Sequence, residues 1–270
     1  MRKIALLLSD VDGTLVTNDK VLTEGAQAAA REMRRAGIRL AVTSGRPPKG
    51  MRMLIEPLHL DGMIAGFNGG VYVHPDLSVV ETKLLTPEAA RSALQIILEA
   101  GLDAWVYTEL DWLIRDPNGP HVAREAWTVK FDAKVVPAFT DEDLAKAAKI
   151  VGVSGDYDRV AACERRAQEA LGTHASATRS QPYYLDVTPP GANKGAVVET
   201  MSKVLKIPKE QIATIGDGPN DVLMFKKSGF SVAMGNASDE VKRQASAVTD
   251  SNEQEGFAKA VHRYILSEAA

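Results

Sequence analysis

The chain has 270 residues, enough for one large domain or two modest ones with a proper core. Its apolar and charged fractions, 45% and 25%, are those of an ordinary globular protein, and a formal net charge of −3 without blocks of like charge offers no footprint for nucleic acid or an acidic membrane surface. The single cysteine, Cys163, excludes an intrachain disulfide and suits a reducing compartment.

The segment Met1-Arg2-Lys3 before an apolar run has the outline of a secretory signal, but the run stops at Ser9-Asp10, too short for such a signal, and no small-residue cleavage site follows. No stretch approaches the length of a membrane span, so a cytoplasmic protein is expected. The first strand runs from Ile4 into Asp10-Val11-Asp12-Gly13-Thr14. Thr23 caps a helix over 24–36 that stops at Gly37, and 38–43 reads as a second buried strand. That strand ends in Ser44-Gly45-Arg46, with Pro47 opening the next helix. A short strand at 62–65 leads to the tight turn Asn68-Gly69-Gly70, and 71–73 with 79–80 forms a hairpin.

From about 84 the character changes. A helix runs from Pro87 to about 100; strands at 104–107 and 112–115 pair; a helix around 141–147, a strand at 149–153, a helix over 157–171 and strands at 174–177 and 183–187 follow. Cys163 falls on one of these helices beside Glu164-Arg165-Arg166, with no histidine near it, and reads as a spectator. The alternating pattern then returns with a helix over 194–205 and a strand at 212–215 that ends in Gly216-Asp217-Gly218-Pro219-Asn220-Asp221. A helix to 227, a strand at 230–233, a helix over 238–244, a strand at 247–249 and a helix to 266 close the chain. The expected fold is α/β: residues 1–83 and 188–270 build a doubly wound, Rossmann-like parallel sheet, and 84–187 form an inserted α+β cap.

Three strand ends carry chemistry: Asp10/Asp12, Ser44-Gly45-Arg46, and Asp217/Asn220/Asp221. Parallel strands bring such ends to one edge, where ligands bind. Asp10 and Asp12 stand two apart on an extended segment and face the same way, and clustered carboxylates call for a divalent cation. Lys194, in Asn193-Lys194-Gly195, opens a helix, where a cation is disfavoured unless it has a task. Competing readings are plain ones: Ser44 as a helix N-cap, Asp217 and Asp221 as turn acids, Arg46 as a partner of surface acids, Asn68 as a turn residue. His121 and Glu125, four apart, form a possible metal pair but lack a third ligand and read better as an exposed helix face.

Four motifs in order, Asp10-Val11-Asp12-Gly13-Thr14, Ser44-Gly45-Arg46, Asn193-Lys194-Gly195 and Gly216-Asp217-Gly218-Pro219-Asn220-Asp221, resemble those of the haloacid dehalogenase superfamily, and within it the Cof-type phosphatases with a large cap. Ser44 stands where threonine is commoner and keeps the hydroxyl. The resemblance implies that Asp10 attacks phosphorus and becomes an aspartyl phosphate, while Asp12 protonates the leaving alcohol and then activates water. It implies Mg²⁺ held by Asp10, the Asp12 carbonyl, Asp217 and Asp221. Ser44, Gly45, Lys194 and Asn220 would bind phosphate, and Arg46 and Asn68 would be nearby substrate contacts. As an acid among anions, Asp12 is expected to have a raised pKa. The implied substrate is a small phosphorylated metabolite, such as a sugar phosphate or pyridoxal phosphate, handled by a monomer or small homo-oligomer. A phosphomutase on the same core and a non-catalytic binding protein are the alternatives.

Overall fold

A computed structural model describes residues 3–267. Strand β1 (Leu6–Asp10) is buried along its whole length. Its residues alternate between two apolar layers: Leu7 packs with Met33 and Val42, while Leu6 and Leu8 pack with Val198 and Met201. A strand covered on both faces must be apolar throughout, which is why the run into Asp10 has no polar interruption before Ser9. Helix α1 (Glu24–Arg35) begins at Thr23, whose hydroxyl accepts from the Ala26 amide at 3.1 Å, so the cap expected from sequence is present. Strand β2 (Arg39–Thr43) leads to a 3₁₀ helix, Pro48–Leu54, which starts one residue beyond the expected Pro47. Strands β3 (Ile64–Gly66), β4 (Val71–Val73) and β5 (Val79–Thr82) form an antiparallel meander at one edge.

A second sheet follows. Helix α2 (Pro87–Glu99), strands β6 (Asp103–Tyr107) and β7 (Trp112–Ile114), helix α3 (Val122–Val129), strand β8 (Lys134–Val135), helix α4 (Asp141–Ala145), strand β9 (Lys149–Val153), helix α5 (Tyr157–Leu171) and strands β10 (Ser176–Gln181) and β11 (Tyr184–Thr188) lie in it or against it. Its order is β10-β11-β9-β6-β7-β8. Val106 and Ile150 face α2 and α5 in a separate core that also buries Cys163, whereas Trp105 and Val151 turn the other way, toward the first sheet. The sequence reading assigned no element to β8 and gave α3 only as a helix face carrying His121 and Glu125, without bounds; α3 is short and bounded by His121 and Lys130, both in the left-handed region, so no periodic pattern marks its extent.

The chain then returns to the first sheet through α6 (Lys194–Leu205), β12 (Ile212–Gly216), α7 (Val222–Phe225), β13 (Phe230–Ala233), α8 (Asp239–Lys242), β14 (Ala247–Val248) and α9 (Gly256–Ala260), the last continued by π-helical turns over Val261–Leu266. The eight strands run in the order β14-β13-β12-β1-β2-β3-β4-β5, parallel from β14 to β3. The parallel α/β sheet and the inserted α+β unit are those read from the sequence. The crossover between β12 and β2 places β1 at the centre, so its C-terminal end opens onto the crevice where strand order reverses. Among the described residues no helix is long and apolar enough to cross a membrane.

Candidate active site

Three carboxylates meet beyond β1 and β12. Asp10, the last residue of β1, is 6% exposed, and one oxygen from each of Asp10, Asp217 and Asp221 lies within 4.8 Å of the others. Lys194 Nζ is inserted among them, 2.6 Å from Asp10 Oδ1 and 2.5 Å from Asp221 Oδ1. Lys194 is the first residue of α6, behind the Asn193 side chain that accepts from the Ala196 amide. The helix start disfavours a cation there. The two carboxylates reverse that preference: burial would lower the lysine's pKa, but Asp10 and Asp221 outweigh it and hold the ammonium charged above its ordinary range. Burial pushes Asp10 well above the usual carboxylate range; Lys194 opposes this, and Asp221 and Asp217 add to it. Asp217 is raised as well, by burial against the Thr14 hydrogen bond, with Asp221 contributing.

The three acids are held differently. Asp221 is fully buried; its Oδ2 accepts from the amides of Asp217 (2.9 Å) and Gly218 (2.8 Å) while Oδ1 takes Lys194. Asp217 is positioned by Thr14, which donates to Oδ1 at 2.8 Å, and by Asn236, which donates to Oδ2 at 3.3 Å and to the Gly13 carbonyl at 2.9 Å. Two glycines make the approach possible. Gly13 has φ +75°, and a Cβ on it would collide with the Asp217 carboxylate; a Cβ on Gly216 would collide with that of Asp221. A buried all-oxygen set of three carboxylates with a single ammonium suits a hard divalent cation.

Asp12 stands apart from this trio. The strand ends at Asp10, and Asp12 instead makes an isolated bridge with Val16. Its carboxylate is gripped by Arg46, with Nε donating to Oδ2 at 2.7 Å and Nη2 to Oδ1 at 2.6 Å, and Lys20 Nζ sits 2.7 Å from Oδ1. The expectation of a raised pKa is therefore corrected: burial would lift it, but the hydrogen bonds and charge of Arg46, joined by Lys20, hold Asp12 below the ordinary value. Arg46 is only 5% exposed and pairs with Asp12 at the cavity, not with acids of the outer surface. The Asp12 side chain lies outside the cluster of three carboxylate oxygens, which leaves its backbone carbonyl as the atom expected at a metal.

Ser44 is buried, and its hydroxyl accepts from the Arg46 amide at 3.1 Å; the following 3₁₀ helix has no side-chain cap, so the N-cap reading of Ser44 fails. Asn68, with φ +55°, sits in the turn between β3 and β4, where its Oδ1 accepts from Asn220 Nδ2 at 3.4 Å. Every candidate residue except the sealed Asp221 lines one cavity of about 500 Å³ between the two sheets.

The far wall of that cavity comes from the inserted unit. Glu125, read from sequence as part of an exposed helix face, instead turns inward and accepts from the Tyr107 hydroxyl at 2.7 Å. His121 is stacked on Tyr183 with ring centroids 4.1 Å apart. Lys149 and Asp186 also line the cavity, as does Lys20, and the sequence reading singled out none of the three. The signal for Lys149 and Asp186 was present: each is a charged residue within a strand otherwise apolar on its buried positions, Lys149-Ile150-Val151 and Tyr184-Leu185-Asp186-Val187.

A family model for haloacid dehalogenase-like hydrolases matches residues 7–261. The chain is 27% identical over 263 residues to 5-amino-6-(5-phospho-D-ribitylamino)uracil phosphatase YcsE of Bacillus subtilis (strain 168), covering 97% of this chain and 96% of that one. It is 30% identical over 234 residues to the HMP-PP phosphatase of Cronobacter sakazakii, with 84% and 83% covered. Among solved structures, a haloacid dehalogenase-like hydrolase from Bacteroides thetaiotaomicron superposes with a TM-score of 0.90 at 28% identity, over 97% of this chain and 99% of its own. The chain belongs to the haloacid dehalogenase-like hydrolases and is a phosphatase among them.

Proposed function

We propose that this phosphatase hydrolyses monoesters of small phosphorylated metabolites in two steps, with Asp10 as nucleophile, Asp12 as acid and base, and Mg²⁺ as the metal. The observation that carries the reading is the buried Lys194 ammonium shared between Asp10 and Asp221, with Asp217 beside them. A phosphate monoester is dianionic, and a bare carboxylate would repel it; Lys194 offsets that repulsion and stabilises the charge of the transition state. Asp10 and Asp217 would hold the cation, with Asp221, both of whose oxygens already have partners, supporting it from behind; the cation would supply Lewis-acid polarisation of phosphoryl oxygens.

The chain's own residues then divide the work. Asp10 attacks phosphorus, and the P–O bond to the alcohol breaks as the aspartyl phosphate forms. The Ser44 hydroxyl, the Gly45 backbone, Lys194 and Asn220 take the phosphoryl oxygens. Asp12 delivers a proton to the leaving alkoxide and takes one from the water that attacks the aspartyl phosphate. Delivery requires Asp12 to be released from Arg46 and Lys20, which pin it as an anion, and to take up a proton from solvent before the first transfer; a phosphate dianion entering the cavity competes for both cations, and in later cycles the proton taken from the attacking water serves the next delivery. Residues 84–187 act as a lid that contacts the leaving group, since the core groups recognise phosphate and little else. The substrate of the Bacillus subtilis relative, a phosphoribitylaminouracil, supports small phosphorylated metabolites as the class.

The test is phosphate release across some dozens of phosphorylated metabolites, with Mg²⁺ and with excess chelator. Turnover that requires Mg²⁺ supports the proposal. Unchanged turnover in chelator contradicts the metal, and conversion of a hexose 1-phosphate to its 6-phosphate without net phosphate release would make the protein a mutase.

A further inference from the structure

The lid wall of the cavity is built from groups that ordinary packing does not require. Lys149 Nζ, buried at the start of β9, lies 3.3 Å from Asp186 Oδ2 on the neighbouring β11 and 3.5 Å from the Gly45 carbonyl across the cavity mouth. It also lies over the Tyr107 ring at 5.1 Å and the Phe67 ring at 5.6 Å. The other oxygen of Asp186, Oδ1, is buried without a hydrogen-bond partner. Glu125 takes the Tyr107 hydroxyl, and the hydroxyl of Tyr184, a residue only 9% exposed, is turned to the same carboxylate without completing a hydrogen bond of good geometry. Trp105, packed edge-on to Tyr184 with centroids 5.2 Å apart, supplies an aromatic flank.

Charge and valence here point one way. Two carboxylates, Glu125 and Asp186, stand beside one buried ammonium; Arg124 lines the same cavity but is exposed, with its guanidinium over the Tyr183 ring at 5.4 Å. Burial raises the Glu125 pKa; Lys149 and Tyr107 oppose this and Asp186 adds to it, as in a cluster short of positive charge. A buried acceptor left unpaired is costly, and a ligand that donates would complete the wall. An anionic leaving group would meet the surplus charge with the wrong sign. Sugar hydroxyls would supply donors without charge; a protonated amine supplies both.

We propose that Glu125 and Asp186, with Lys149 between the lid and Gly45, form a specificity subsite for a leaving alcohol that carries a basic amino group. The inference rests on the phosphatase reading and extends it to the substrate. The amine enters between Glu125 and Asp186, whose side chain is 18% exposed to the cavity, and reaches Oδ1 as the carboxylate turns toward it, while Lys149 keeps the inserted strand against the Gly45 loop.

Two substrate pairs that differ only by an amino group for a hydroxyl provide the test: pyridoxamine 5′-phosphate with pyridoxine 5′-phosphate, and glucosamine 6-phosphate with glucose 6-phosphate. The intact enzyme is expected to favour the amino member of at least one pair by about tenfold or more in kcat/KM, the scale of one charge-assisted hydrogen bond. Glu125→Gln and Asp186→Asn should each reduce that ratio to about a third or less. The ratio within a pair cancels any general loss of activity, and two separate isosteric variants guard against one failing to fold. Equal kcat/KM within both pairs, or a preference that survives both substitutions, overturns the proposal. Hydrolysis of acetyl phosphate by the intact enzyme separates the two levels: turnover without amine preference removes the subsite and leaves the phosphatase reading standing, while no turnover on any ester removes both.

Discussion

Replacing Lys194 by methionine removes one buried charge of similar length and leaves two buried carboxylates facing each other. Lys194 is 1% exposed and bonds Asp10 and Asp221, themselves 6% and 0% exposed. Breaking a buried pair in this way costs about 3–5 kcal/mol. For a chain of this size each kcal/mol moves the melting temperature by about 2–4 °C, so the variant should melt about 6–20 °C lower at pH 7. The pH dependence has a definite sign. Lys194 has its native pKa raised, so its contribution is fully present below the unfolded value of about 10.5 and is lost as pH rises above it. Asp10 has its native pKa raised, so its ionisation destabilises the fold as pH climbs from the ordinary carboxylate value toward the raised one. Without the lysine that penalty grows. The gap between variant and parent should therefore be widest near neutrality and shrink on acidification to about pH 4, where the carboxylates need no counter-charge. Mg²⁺ at about a hundred times its Kd stabilises a native state by about 2.7 kcal/mol, and should restore more of the variant's melting temperature than it adds to the parent's. Calorimetry at pH 4 and pH 7, with and without Mg²⁺, reads all three effects. A variant within about 1 kcal/mol of the parent at pH 7, or a gap independent of pH, would refute the account of this cluster.

Asp10→Asn should leave the melting temperature near that of the parent or above it, since a raised carboxyl becomes a neutral isostere, and should abolish turnover, as steady-state phosphate release would show. Asp217→Ala should keep activity at saturating metal but raise the Mg²⁺ concentration needed for half-maximal rate by tenfold or more; an unchanged Mg²⁺ titration would take Asp217 out of the metal site. Asp12→Asn should slow hydrolysis of alkyl phosphates by about 10²–10⁴-fold while sparing the first step with a nitrophenyl ester, whose leaving group needs no proton; equal losses in the first step, read as a burst of nitrophenolate, would contradict an acid role. Lys20→Met should release one of the two cations on Asp12 and shift the alkaline, falling limb of the kcat/KM profile upward in pH; a profile that does not move would show that Arg46 alone sets the state of Asp12.

What the sequence disclosed follows physical range. Strand ends are local events: an apolar run that stops at Asp10, or at Asp217 to Asp221, marks both the strand and the edge it reaches, and so the three-acid cluster with Lys194 could be assembled from motifs alone. The state of Asp12 could not, because it is set by Arg46, thirty-four residues away, and by Lys20 in an irregular loop with φ +62°. Glu125 was misread because α3 is a single short helix between two left-handed residues; with only eight residues, its buried side could not be told from its exposed one. The charged residues of the inserted strands were visible but carry no motif, and their meaning comes from β9 and β11 being paired and turned toward the first sheet.

The central claim is that phosphate passes through Asp10. Rapid-quench mass spectrometry of Asp12→Asn with an activated ester tests it most directly, because that variant can form the acyl phosphate but lacks the base that hydrolyses it. The account predicts one phosphoryl group on the peptide containing Asp10, formed within the burst and absent from the variant that also carries Asp10→Asn. Stoichiometric release of alcohol with no covalent phosphate at any time point, or phosphate on another residue, would contradict it.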